Sequence, residues 1–270
     1  MDLAISIFRN EKVYTSIDIQ KPRAEIIAKA YDAANKGLFF KSIFEFIAGS
    51  VETIYGNDDT IETDPKKIKQ ICGMMPFVSA EAVAMKIMCK LNKDDTVEGV
   101  YSCPRCHHKI ITGTDGLVDT RDKINDLPVI IMDSNANNEI NVQLSEPIKI
   151  KNVQTGEVIE EINSFTMRYP NLNDCMIAEN GQSNDVIIQL RMYCNSLLRV
   201  NGNEIDKSWI GSFGMLMFNR IWPEDLEKIT IEMKRYGIIK TKKRECIECG
   251  KVWDAPLSTS NFFVSGLHAT

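Results

Sequence analysis

Two short cysteine motifs, Cys103-Pro-Arg-Cys106 and Cys246-Ile-Glu-Cys249, are the residues best placed to do chemistry in this chain. A Cys-x-x-Cys turn sets two sulfurs on one side of a tight backbone corner and so supplies half of the tetrahedral thiolate set of a structural zinc. Neither pair closes a site alone. Together, Cys103, Cys106, Cys246 and Cys249 would hold one structural zinc ion. The residue after such a motif often turns left-handed, which suits Gly250 and costs His107 little, histidine being among the types enriched there. Although 139 residues lie between Cys106 and Cys246, closure cost grows only logarithmically with length. A metal clip across a folded unit is physically reasonable. The alternatives at this point are a site that takes His107 or His108 as a ligand, and metal-free knuckles. Neither pair opens a helix after a strand, as a thioredoxin-like redox motif requires. An iron–sulfur cluster has the right ligand count without the spacing of its families. Cys72, Cys89, Cys175 and Cys194 stand singly among apolar helical residues and read as small buried hydrophobes.

Little else is equipped for catalysis. The three histidines are at 107, 108 and 268, so a histidine-rich metal centre cannot be built. There is no glycine-rich phosphate loop, G-x-S-x-G or H-E-x-x-H, and carboxylate pairs such as Asp58-Asp59 and Glu160-Glu161 fall in polar stretches where solvation explains them. A non-enzymatic protein is expected, with no small-molecule substrate. The formal charge of −5 argues against nucleic-acid binding by the whole surface. Lys234 to Arg244 nevertheless forms a basic run beside the second knuckle, and carries the alternative of a zinc-ribbon nucleic-acid-binding protein. No stretch approaches 18 consecutive apolar residues, and MDLAISIFRNEK is unlike a signal peptide, so a cytosolic protein without a membrane partner is expected.

The elements that must position the cysteines follow from periodicity. Val13 to Ile19 alternates as a strand and ends near Pro22. Ala24 to Asn35 and Leu38 to Tyr55 carry apolar residues at helical spacing. Asp64-Pro65 reads as an N-cap and first turn of a helix through Cys72, and Ser79 opens another that reaches Leu91. Further on, Ile140 to Ile150 and Val158 to Met167 alternate around Thr155-Gly156 as a hairpin. Helices are expected from Pro170 to Glu179, Asp185 to Val200, Asp206 to Phe218 and Pro223 to Tyr236. Part of this order occurs twice. Ser16 to Pro22 parallels Phe165 to Pro170, Ile54 to Asp58 parallels Val200 to Glu204, and each half ends in Cys-x-x-Cys. The expected fold is α+β and predominantly helical: two related strand-plus-helices modules joined by a split four-cysteine zinc ribbon, with one β-hairpin in the second half. The divisions are 1–99, a first knuckle at 100–113, a linker, hairpin and second helical module at 114–245, and a second knuckle with tail at 246–270. Met74, Met75, Met85, Met88, Met215 and Met217 are either core packing or an adaptable binding face.

Two stretches carry a resemblance. Tyr101 to Cys106 is a knuckle just after a short aromatic strand, and Cys246 to Gly250 is followed by Trp253-Asp-Ala-Pro-Leu257 and Asn261-Phe262-Phe263. With the order of elements around them, these resemble the T4-type baseplate hub assembly family of contractile-tailed bacteriophages. His107 departs from the glycine usual there, and Lys90-Leu91 and Glu98-Gly99 replace an arginine-then-glycine approach. The resemblance implies a non-enzymatic tail protein, a structural subunit or assembly chaperone of the baseplate hub. Its partners would be other tail or baseplate proteins, met in the host cytoplasm during assembly, with a place in the finished virion baseplate left open. Phe262, Phe263 and Val264 would be its docking peptide.

Overall fold

The computed structural model describes residues 1–9, 11–91, 96–98, 101–110, 121–123, 127–133, 138–239 and 241–256. The first half runs β1 (Asp2–Arg9), β2 (Lys12–Ile19), α1 (Ala24–Asn35), α2 (Phe39–Ala48), β3 (Val51–Gly56), β4 (Ile61–Glu62), α3 (Pro65–Gly73) and α4 (Phe77–Leu91). Five short strands follow: β5 (Thr96–Glu98), β6 (Tyr101–Ser102), β7 (Lys109–Ile110), β8 (Arg121–Lys123) and β9 (Val129–Ile130). The second half runs β10 (Glu139–Lys151), β11 (Val158–Arg168), α5 (Leu172–Glu179), α6 (Asp185–Asn195), β12 (Leu197–Val200) and β13 (Asn203–Glu204). It continues through α7 (Lys207–Trp209), a π-helical turn (Ile210–Gly214), α8 (Met215–Phe218) and α9 (Pro223–Met233), and ends in β14 (Gly237–Ile238), β15 (Thr241–Glu245) and β16 (Val252–Pro256).

The expectation of a predominantly helical chain is overturned, because 39% of it is helix and 33% strand, in several small sheets. Nor is there one strand per half and a single hairpin. Each half holds a four-stranded antiparallel sheet, ordered β1-β2-β3-β4 and β10-β11-β12-β13. The sequence reading fails in the same way twice: the helix expected to Tyr55 stops at Ala48, and the one expected to Val200 stops at Asn195. In both, a buried serine ends the helix. Ser50 donates its hydroxyl to the Phe46 carbonyl (2.7 Å), and its own carbonyl accepts the Gln20 amide (2.8 Å). Ser196 donates to Tyr193 (2.9 Å) and accepts from Arg168 (3.0 Å). Beyond the serines the chain joins the sheets, as β-branched Val51, Thr53 and Ile54 in β3 and as Leu197 to Val200 in β12.

Other details recur at matching places. Ile17 pairs with Ile54 as Phe165 does with Val200. Asp64 and Asp206 cap the helices after β4 and β13. The first strand of each sheet is irregular, between Asp2 and Ile7 and between Gln143 and Ile148, and a buried side chain from the last long helix of that half satisfies it. Ser79 Oγ accepts from Ile5 N–H (2.8 Å) and donates to its carbonyl (2.9 Å). Asp225 accepts from the Ser145 amide (3.0 Å) and hydroxyl (2.7 Å), with Lys228 at 2.7 Å.

Each sheet packs its apolar face on its own helices, giving one core around Ile17, Ile47, Ile54 and Met85 and another around Ile162, Phe165, Met167 and Phe218. Met75, Met85, Met88 and Met217 are buried in these cores and Met74 and Met215 lie half-buried against them, so the methionines are packing residues. The halves meet through α5, which packs on α2, α3 and α4, and through β14, which packs on α4 and β1 and buries Ile238 in the first core. One face of that helix does the work: Leu172 is buried in the first core, Met176 packs against it, and Glu179 accepts the Phe40 (2.9 Å) and Lys41 (2.8 Å) amides at the start of α2. Two backbone bonds lie alongside, Phe77 N–H to Pro170 O (2.8 Å) and Leu172 N–H to Met75 O (3.1 Å). Among the described residues, no helix is long and apolar enough to cross a membrane.

Candidate metal centre

Each cysteine pair sits at the tip of its own hairpin. Tyr101↔Ile110 and Ser102↔Lys109 close the first, and the ladder from Thr241↔Pro256 to Glu245↔Val252 closes the second. The two hairpins are separate two-stranded sheets. A ribbon joining the halves is not shown, and that part of the expected fold is corrected: among the described residues, the strands flanking each knuckle pair with each other. The turn geometry is the same in both. His107 N–H donates to Cys103 O (2.9 Å) and Cys103 N–H to His108 O (2.9 Å); Gly250 N–H donates to Cys246 O (2.8 Å) and Cys246 N–H to Lys251 O (2.9 Å). His107 (φ 59°) and Gly250 (φ 65°) are both left-handed, at the position where that conformation was expected.

The hairpins face each other tip to tip, bringing all four sulfurs within 4.8 Å of one another. The pairing crosses between the halves: Cys103 Sγ lies 3.6 Å from Cys249 Sγ, and Cys106 Sγ lies 3.5 Å from Cys246 Sγ. Sulfurs about 2.3 Å from a tetrahedral ion lie roughly 3.75 Å apart, so a metal would fit with small adjustments. Behind the tips, Tyr101, Ile110 and Ala255 are buried together, with Trp253 packed against them, and the Arg244 guanidinium stacks 4.7 Å from the centre of the Tyr101 ring. Cys103 and Cys246 are buried, Cys249 is half-buried and Cys106 is exposed.

The thiols divide unequally in their hold on protons. Burial opposes charge on Cys103, but donation from the Cys106 and Arg105 amides and from the Cys106 and Cys249 thiols brings it down to about 6. At Cys106 the His108 amide favours the thiolate, yet desolvation and the other three sulfurs push it up to about 12. The physical content is that four adjacent sulfurs cannot all ionise without a cation among them. A closed four-sulfur set leaves no open position for a substrate, which makes such a centre structural. Among the described residues, no histidine belongs to the cluster. Four cysteines fit more than one soft metal.

The remaining cysteines are held apart from the centre. Cys72, Cys175 and Cys194 are buried and Cys89 is half-buried. Burial alone raises Cys72 to about 12 and Cys194 to about 11, and is the main cause of the rise at Cys175. The basic run lies partly on β15, where Lys242 and Lys243 are exposed, while Arg235 pairs with Glu232 and stacks on Tyr236. Phe262, Phe263 and Val264 lie outside the described residues, as does His268. Glu179, which caps α2, and Asp225, which satisfies β10, carry no sequence signal beyond being acidic. No family model, curated protein or solved structure matches the chain.

Proposed function

We propose that the chain is a non-enzymatic tail protein of a contractile-tailed bacteriophage that acts in baseplate hub assembly, with one structural zinc holding its two halves together. Zinc is the choice because four thiolates in a closed tetrahedral set match its usual structural coordination, and because it needs no redox partner. The observation that carries the reading is that the residues resembling the hub assembly family are built into the centre itself. Trp253 to Pro256 form β16, the strand directly after Cys249, and Trp253 and Ala255 pack behind the sulfurs. The family-like segment and the metal ligands thus form one structural unit, from which the chain continues to Phe262, Phe263 and Val264 as the segment that docks on other tail proteins.

The test is co-expression of the metal-loaded chain with the tail and baseplate proteins encoded beside it, followed by co-purification, in full length and cut after Leu257. The reading requires capture of at least one tail protein by the full chain. Loss of capture on cutting, with thermal stability unchanged, assigns the docking role to the terminal segment. Retention on DNA or RNA that weakens with salt, without capture of any tail protein, would replace it with the nucleic-acid reading, in which the exposed basic face of β15 would meet phosphates.

A further inference from the structure

Where helix packs on helix, the contact between the halves is made by two different surfaces; β14 adds to it by packing on α4 and β1. The first half offers the start of α2 together with Met75 and Pro76, and the second half offers the face of α5 bearing Leu172, Met176 and Glu179. Such an arrangement is heterologous, so each half also carries the surface that its neighbour uses, and those surfaces remain at the two ends of the chain.

Matching features identify them. Ser50 and Ser196 end α2 and α6 with the same backbone hydrogen bonds, each amide donating three residues back and each carbonyl accepting from the strand before, so Phe40 and Lys41 in α2 correspond to Val186 and Ile187 in α6. Ser79 and Asp225 satisfy the first strand of their halves in the same way, so Met75 and Pro76 correspond to Ile221 and Trp222. Met75 and Pro76 are buried. Their counterparts are not: Val186 is 60% exposed, Ile187 37% and Trp222 48%, with Ile221 half-buried. At the other end, Gln20 and Arg168 donate to equivalent serines, which aligns α1 with α5 and places Ala24, Ala28 and Tyr31 where Leu172, Met176 and Glu179 stand. Ala24 and Ala28 are exposed, and Tyr31 is 37% exposed.

We propose that the chain associates head to tail with a second copy of itself, the Ala24, Ala28 and Tyr31 face of α1 in one copy covering Val186, Ile187, Ile221 and Trp222 of the next. Two differences from the internal contact are consistent with this use. The Glu179 position becomes Tyr31, which offers no carboxylate, but α6 does not need one, because Asn184 already accepts the Val186 (3.0 Å) and Ile187 (3.2 Å) amides. Pro223 stands where Phe77 donates, so one backbone bond of the internal contact has no counterpart. The copy-to-copy contact therefore rests on apolar burial and is weaker than the internal one. Being heterologous, it closes into a ring or grows as a chain, according to the rotation it imposes. It is independent of the tail-protein reading and stands or falls by itself.

The experiment is sedimentation velocity on the full, metal-loaded chain over a concentration series reaching the high-micromolar range. It compares wild type with Ala28→Arg and Val186→Lys, both exposed positions whose variants should melt as wild type does. The expected result is mass rising with concentration past the dimer for wild type and a monomer for each variant. An equimolar mixture of the two variants retains one intact pair of faces, so it should give a dimer and nothing larger. A wild-type monomer at every concentration overturns the proposal. So does association that survives Ala28→Arg, which would mean that the Val186 face pairs with its own copy or that another surface is responsible.

Discussion

Replacing Cys246 with serine tests whether the four sulfurs act as one ligand set. Two sulfur pairs stand at 3.5 and 3.6 Å, against the roughly 3.75 Å that a tetrahedral ion imposes. These two contacts are within a few tenths of an ångström of that value and all four sulfurs lie within 4.8 Å of one another, so the ligand atoms are gathered before an ion binds. An ion that binds only the folded chain stabilises it by RT ln(1 + [M]/Kd), about 4 kcal/mol when free metal exceeds Kd a thousandfold. For a chain of this size, 1 kcal/mol moves the melting temperature by about 2–4 °C, so full loss of the ion would lower it by roughly 8–16 °C. Cobalt substitution gives the readout, because tetrahedral cobalt thiolates have intense visible and near-ultraviolet bands that report the number of sulfurs bound. Wild type should titrate to one cobalt per chain with a four-sulfur spectrum. The Cys246→Ser variant should show a weakened, three-sulfur spectrum and a melting temperature close to that of chelator-treated wild type. Replacing His107 and His108 with alanine should leave the spectrum unchanged. A four-sulfur spectrum that survives Cys246→Ser, or chelation that strips the metal without moving the melting temperature, would refute the reasoning.

The frame offers further checks. Asp225→Asn keeps an acceptor for Ser145 but removes the charge that faces Lys228, and should cost about 1–3 kcal/mol in urea unfolding at neutral pH. Burial opposes ionisation of Asp225, but Lys228 and Ser145 outweigh it and hold the carboxyl below the ordinary aspartate value. Its stabilisation is therefore present above that value and lost as pH falls through the lower folded one, so wild type and variant should converge in acid. At the knuckles, Gly250→Ala should destabilise the metal-loaded chain by about 1 kcal/mol, whereas His107→Gly should be neutral or slightly stabilising, both read as melting temperatures. In thiol alkylation of the folded, metal-free protein at pH 8, Cys72 and Cys175 should be the last to react, since burial keeps them protonated and closed to reagent; rapid labelling of either would contradict the packing.

The grouping of Cys103, Cys106, Cys246 and Cys249 was legible because Cys-x-x-Cys is a local pattern with a chemical reason for its spacing. So was the left-handed residue after each pair, which follows from the turn. The hairpin of β10 and β11 was also readable from alternation, to within a residue or two at its ends. Strands β3 and β12 were hidden because the apolar spacing of the preceding helix runs on through them, and the break is made by a buried serine whose partners are far away in sequence. Strand β1 was concealed for a related reason: Leu3, Ala4 and Ile5 are all buried, so no alternation marks it. Three-dimensional facts of this kind also hid Glu179. Nothing in its neighbourhood in the chain says that its carboxylate ends at the start of α2, 139 residues away.

The crossed pairing of sulfurs makes the centre a record of synthesis. Cys103 and Cys106 leave the ribosome while their partners are still about 140 residues from being made, a delay of roughly 7 to 28 s at ordinary elongation rates of 5–20 residues per second. During that interval the first half carries two sulfurs of a site that needs four, and α5 has yet to cover α2. A chain interrupted anywhere before Cys249 keeps an incomplete dithiol. Possession of the ion would then mark a chain made past Cys249, with both halves present to be held together.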